Sequence, residues 1–246
     1  MTRATEDIAL TIVMPAFNEA DNLTPVVHET LETLAQHPWI GAFELIIVDD
    51  GSTDGTAMVA DRLAAAHPGV VVAMHHPSNR GFGAALKTGF SASRGRNVTL
   101  MSADGEVGPD QVVSLLRDMG DAGLILGRRE RRGKVPWYRE VFTFGFNILT
   151  RLVLGFLPEA TGIYVVRGDL LRRMELQSDT GLANLEVIMY CRQWGCPIGS
   201  GVTHVRPRLS GSSKVTNVRT MSRIFWEMAK LRVALRRRTA AQGEVA

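Results

Sequence analysis

The chain has 246 residues, 45% hydrophobic and 22% charged, an ordinary balance for a globular protein with room for a full core. Its net charge of +3 is uneven: residues 208–238 carry nine Lys/Arg against Glu227 alone, a local +8 that leaves −5 elsewhere, and such a patch faces phosphate of some kind. The seven largely apolar residues at 8–14 make no signal peptide, no window offers the ~20 of a spanning helix, and Cys191 and Cys196, without a CxxC, read as reduced thiols of a cytosolic protein.

In chain order, IALTIVM, FELIIVDD, VVVAMHH, NVTLM and GLILG are short aliphatic runs bounded by Gly, Pro or Asp, the pattern of buried strands. Between them, residues 22–36, 56–67, 83–94 and 110–119 have helical length and periodicity. This alternation predicts an α/β fold, a mostly parallel sheet with helices on both faces. In such sheets ligands bind beyond the carboxyl ends of the strands, which directs attention to PAFNEADN, DDGSTDGT, SNRGFGAA and SADGE. Farther on, residues 127–140 hold six Lys/Arg with Gly and Pro and read as a mobile loop. Phe142, Phe146, Leu149, Val153 and Phe156 mark an amphipathic helix. A strand near 162–166, a helix near 183–194 and the polar loop SGSSKVTN follow. The last element is a basic helix, 218–238, with Met221, Ile224, Met228, Leu231 and Leu235 on one face.

Asp49 and Asp50 close a buried strand, where uncompensated carboxylates are costly. At least one is expected to reach the crevice and accept from a ribose or base, unless the Ser52–Thr53–Asp54 turn merely caps a helix. In VTLMSADGE, Ser102, Asp104 and Glu106 alternate, so an extended chain would present all three on one face.

In the order MPAFNEADNL, IVDDGSTDGT, NRGFGAA, SADGE, GRR, TGIYVVRGDLL and RLSGSSK, the sequence resembles glycosyltransferase family 2. It resembles in particular the dolichol-phosphate mannose synthase and polyprenyl-phosphate glycosyltransferase branch, over about residues 8–235. The resemblance implies a GT-A (Rossmann-like) catalytic domain over 1–215, with a nucleotide-sugar half over 1–127 and an acceptor half over 128–215. A basic amphipathic helix at 216–238 and a disordered tail at 239–246 complete the expected organisation. By the same resemblance Pro15, Phe17, Glu19, Val48, Asp50, Ala103 and Asp104 bind the donor. Asn79, Gly81 and Gly83 shape a structural turn. The implied catalytic groups are Asp104, Arg129, Arg139, Arg208 and Lys214, with Arg139, Arg208, Ser213 and Lys214 toward the acceptor phosphate.

Two departures stand out. Ser102 replaces the first aspartate of the family's DxD motif, and Glu106 follows where Gln or Ser is usual. A divalent cation, Mn²⁺ or Mg²⁺, wants hard oxygen ligands, so the metal is expected on Asp104 and Glu106 with Ser102 a weak ligand; the alternative is a degenerate site. Glu159 stands three before Gly162, where the family has an acid four before.

The expected reaction moves a sugar, with inversion, from a nucleotide-sugar (GDP-mannose favoured, a UDP-sugar the alternative) to a polyprenyl or dolichyl monophosphate. A phosphate monoester is already anionic near neutrality, with a second pKa of about 6, so it needs no general base. The rival readings are a soluble family-2 transferase with a hydroxyl acceptor, which does need one, and a catalytically impaired nucleotide-sugar-binding partner protein. The expected partners are nucleotide-sugar, polyprenyl phosphate and, peripherally, the cytoplasmic membrane face through the basic helix. Packing of the apolar faces on the sheet or on a second copy in a homo-oligomer is the alternative. Nucleic acid is not expected, because no recognisable binding module accompanies the arginines.

Overall fold

The computed structural model describes residues 7–129, 151, 161–204 and 206. The chain enters the sheet with β1 (Leu10–Ala16) and continues through α1 (Ala20–Ala35), a 3-10 turn (Pro38–Ile40), β2 (Phe43–Asp49) and α2 (Thr56–Ala66). Then come β3 (Val71–His75), α3 (Phe82–Ala92), β4 (Asn97–Leu100), α4 (Pro109–Asp118) and β5 (Leu124–Arg129). β6 (Thr161–Arg167), a short α5 (Gly168–Leu171), α6 (Leu182–Gln193) and β7 (Ile198–Thr203) complete the described elements. The sheet order is β3-β2-β1-β4-β6-β5-β7. Among the described strands β6 alone runs against the others, paired antiparallel to both β4 and β5, so the carboxyl ends of β1 to β5 and β7 share one edge.

Residue parity assigns the two faces of the sheet. Leu10, Ile12, Met14, Leu45 and Ile47 pack with Leu23, Val27, Leu63, Val112 and Leu115, that is, under α1, α2 and α4. Val13, Ile46, Val48, Val98 and Leu100 face the opposite way, onto Ala85, Leu86, Phe90, Val187 and Ile188 of α3 and α6. Each such side chain contributes roughly 1.5–3 kcal/mol by burial. A one-residue slip would exchange the faces, so register is strongly specified. At the amino edge, Glu44 is 1% exposed yet fully partnered. It accepts from the Thr11 hydroxyl at 2.8 Å, from the Arg94 main chain at 2.8 Å and from the Arg94 guanidinium at 2.6 and 2.9 Å.

The predicted mostly parallel sheet with helices on both faces is present. Predicted and observed strands and helices agree to within two residues at nearly every end. β7 was not anticipated, because IGSGVT offers two glycines and a serine where a strand usually shows apolar alternation. Cys191 and Cys196 are free thiols; burial, then the neighbouring Cys196, pushes the Cys191 thiol up to about 12. No helix among the described residues is long and apolar enough to cross a membrane. The aromatic helix expected over 142–156 falls almost wholly outside the described residues, as do the basic helix and tail expected over 216–246.

Candidate functional site

The loops after β1 and β2 are knitted together before any ligand is considered. Asn18, at φ +54, adopts the left-handed conformation that Asn tolerates better than most residues. Its N–H donates to the Ser52 hydroxyl at 2.9 Å, and its side-chain oxygen accepts from Thr53 N–H at 2.8 Å. Glu19 N–H donates to the Thr56 hydroxyl at 2.8 Å, and Glu19 Oε2 accepts from Asn22 at 2.7 Å. Asp54 caps two helix starts at once, accepting from Thr56 N–H at 2.9 Å and from Ala20 N–H at 3.3 Å. Partial burial opposes ionisation of Asp54, but the hydrogen bonds from Thr56 and Ala20 outweigh it and hold the carboxyl below its ordinary range. Of these roles the sequence alone suggests only the capping by the 52–54 turn.

Asp50 is 3% exposed, and its carboxylate is engaged by the loop that follows β3. Oδ1 accepts from Arg80 N–H at 3.0 Å and meets His76 Nδ1 at 2.7 Å, while Oδ2 accepts from Gly81 N–H at 2.8 Å. Buried charge demands partners, and the 80–81 main chain and His76 supply them. Asp49 is likewise buried, receiving Ser52 N–H at 3.2 Å with His75 Nδ1 at 3.6 Å. His76 completes a strut by pairing Nε2 with the Thr88 hydroxyl at 2.9 Å. Gly83 in the same motif is structural, as the sequence suggested: a Cβ there would lie 2.4 Å from Thr180 O.

The acidic segment also departs from the extended geometry expected of it. β4 stops at Leu100, and Gly105 takes φ +73, so residues 102–106 turn instead of alternating on one face. Within the turn Glu106 N–H donates to Asp104 Oδ1 at 3.1 Å. Asp104 is 6% exposed; Ser102 and Glu106 are half-buried. The donor set remains two carboxylates and a hydroxyl at the carboxyl edge. It fits Mg²⁺ or Mn²⁺, which bind through one or two carboxylates and take further oxygens from phosphate and water. No cluster of three His, Cys, Asp or Glu among the described residues could hold an ion unaided.

Of the other predicted donor residues, Pro15 is buried within β1, while Phe17 and Glu19 are half-buried in the loop beyond it. The Val48 side chain is wholly enclosed in the α3-facing core, and Ala103, beside Asp104, is buried in the core on the other face of the sheet. Arg129 ends β5 at the same edge. Its side chain, and all of Arg139, Glu159, Arg208, Ser213 and Lys214, lie outside the described residues.

Arg206 is the contact that sequence reasoning missed. Its N–H donates to Glu106 O at 2.9 Å. Its guanidinium reaches Glu29 Oε1 and Asp110 Oδ1, each at 2.5 Å. The Glu29 hydrogen bond raises its pKa, partial burial opposes, and the charges of Asp110 and Glu29 add to the rise. The sequence signal was only an arginine shortly after an unrecognised strand.

The sequence pattern of glycosyl transferase family 2 matches residues 11–174. Polyprenol monophosphomannose synthase of Mycolicibacterium smegmatis is 34% identical over 192 residues, covering 74% of this chain and 68% of that one. A dolichyl-phosphate beta-glucosyltransferase of Trichomonas vaginalis is 31% identical over 158 residues, 58% of this chain and 46% of the other. Among solved structures, glucosyl-3-phosphoglycerate synthase of Mycobacterium tuberculosis, in complex with Mn²⁺, UDP and glucosyl-3-phosphoglycerate, aligns with TM-score 0.67. Its identity is 22%, over 92% of this chain and 80% of that one. Sheet, crevice loops and these likenesses define a glycosyltransferase of the GT-A fold. The chain belongs to glycosyl transferase family 2.

Proposed function

We propose that the protein transfers a sugar from a nucleotide-sugar to a polyprenyl or dolichyl monophosphate, with inversion and with a divalent metal. GDP-mannose is the favoured donor, a UDP-sugar the alternative. The observation that carries the reading is the acidic turn at Asp104 and Glu106, set at the carboxyl edge beside the loops after β1 and β2. The similarity to polyprenol monophosphomannose synthase supports the lipid-phosphate acceptor and the mannose.

In this mechanism the loop of Pro15, Phe17 and Glu19 receives the nucleotide, and Asp50 maintains the adjoining loop. Asp104 and Glu106 would hold Mn²⁺ or Mg²⁺, which supplies charge neutralisation to the diphosphate. Only β6 separates β4 from β5. At about 4.8 Å per strand, the carboxyl ends of β4 and β5 lie roughly 10 Å apart across the sheet, which sets Arg129 and the acidic turn on the same edge, one strand removed. An acceptor phosphate oxygen forms the bond to the anomeric carbon as the bond to the diphosphate oxygen breaks. The electron pair leaves with the nucleoside diphosphate. Arg139, Arg208, Ser213 and Lys214 are assigned to the acceptor phosphate, where guanidinium forks offer bidentate hydrogen bonds.

No proton transfer is required, and this agrees with the state of the histidines that close and follow β3. His76 is engaged at both ring nitrogens, and His75 pairs with Asp61 at 2.9 Å. We further assign the protein to the cytoplasmic membrane face, held peripherally by the basic segment at 216–238.

The test is a panel of GDP- and UDP-sugars with a polyprenyl phosphate, with and without Mn²⁺, scored by sugar appearing in the lipid fraction. Metal-dependent transfer to the lipid phosphate is expected. Transfer only to hydroxyl acceptors, or none with any donor, overturns the proposal.

A further inference from the structure

We infer that Arg206 is a positioning residue that clips the acidic turn and the segment after it into the shape that receives a metal-bound diphosphate. The inference rests on the reading of Asp104 and Glu106 given above.

Three contacts hold the five residues from Glu106 to Asp110. At one end the Glu106 carbonyl accepts from Arg206 N–H at 2.9 Å. At the other the Asp110 carboxylate takes one guanidinium nitrogen at 2.5 Å. Between them the guanidinium passes so close over Gly108 that a Cβ there would lie 2.3 Å from Arg206 Cζ. The second terminal nitrogen binds Glu29 of α1, also at 2.5 Å. That anchors the clip to the helix that follows the nucleotide loop. His204 N–H adds a parallel bond to Gln111 Oε1 at 2.8 Å. Gly105, at φ +73, and Gly108, beneath the clip, bring no side chain of their own to fix the path.

Only arginine suits the position. Two carboxylates on different helices are reached by two nitrogens of one rigid planar fork, whereas lysine offers a single point charge. The ion pairs involve side chains 40% to 59% exposed, and exposed pairs add little to global stability. Losing the clip should therefore alter the turn and leave the fold largely intact.

The experiment compares wild type with Arg206→Gln, Arg206→Lys and Gly108→Ala, the last displacing the guanidinium from its seat while keeping its charge. Hydrogen exchange over 102–110 is measured in metal-free protein, and calorimetry measures Mn²⁺ affinity in the presence of GDP and of UDP. In Arg206→Gln we expect about tenfold faster exchange and about tenfold weaker Mn²⁺ binding, with Tm close to wild type. Gly108→Ala should reproduce this, adding nothing further in the double variant, and Arg206→Lys should fall between. Wild-type exchange and Mn²⁺ affinity in Arg206→Gln overturn the inference, as does a loss that tracks a general drop in Tm. A wild type that binds Mn²⁺ with neither nucleotide overturns the functional reading instead, while the exchange measurement still judges the clip.

Discussion

Asp50→Asn separates two roles for a carboxylate that the sequence alone leaves open. In the structure it accepts Arg80 N–H, Gly81 N–H and the His76 ring at 2.7 to 3.0 Å, from a side chain only 5% exposed. An amide of the same shape keeps one oxygen. Wherever its NH₂ points, a donor then faces a donor, toward Gly81 in one orientation and toward Arg80 in the other. Losing one hydrogen bond to a charged group costs about 1.5–3 kcal/mol, and a buried unsatisfied donor about 1–3 kcal/mol. Because the two overlap, the expected destabilisation is about 2–4 kcal/mol, a large share of a typical 5–15 kcal/mol. With a urea m-value near the top of the ~1–3 kcal/mol/M range, the unfolding midpoint falls by roughly 1 M. Urea denaturation followed by circular dichroism, paired with nucleotide calorimetry below the transition, reads both quantities. An unchanged midpoint with strongly reduced nucleotide affinity would refute the reasoning, for it would put Asp50 on the ligand.

Other substitutions probe the acidic turn, the amino edge and the pH response. Glu106→Gln should weaken Mn²⁺ binding in the presence of nucleotide by about tenfold; equal calorimetric affinity would remove Glu106 from the metal set. Glu44→Gln breaks a pair for which loss of one buried partner costs about 3–5 kcal/mol. Since Arg94 is 40% exposed and can be hydrated, about 2–3 kcal/mol is expected in denaturant unfolding. Asp54 has its folded carboxyl held below the ordinary 3.8. Its contribution is therefore complete above that value and lost as pH falls through the lower folded one. Unfolding free energy measured from pH 5 downward should decline less steeply in Asp54→Asn than in wild type.

Much of the architecture was legible because it rests on local pattern. Alternating aliphatic runs and helical periodicity located β1 to β6 and the longer described helices within a residue or two at most ends, since side-chain period and burial are properties of short segments. The ordered motifs after the strands fall at the carboxyl edge of the sheet and pointed to the family. β7 escaped because glycine and serine mask a strand that is defined by pairing with β5.

What the sequence by itself determined was composition of the site: which carboxylates, arginines and glycines follow which strand. Tertiary structure decided where they point. Ser102, Asp104 and Glu106 would share a face only on an extended chain, and Gly105 bends it. Asp50 closes a strand in the sequence, and its main-chain donors come from a loop thirty residues on. Arg206 lies a hundred residues from Glu106 in the chain and bonds to it directly. Such contacts are set by the sheet order and by the antiparallel insertion of β6. No periodicity records them, because a hydrogen bond between distant segments leaves no mark on the pattern of either.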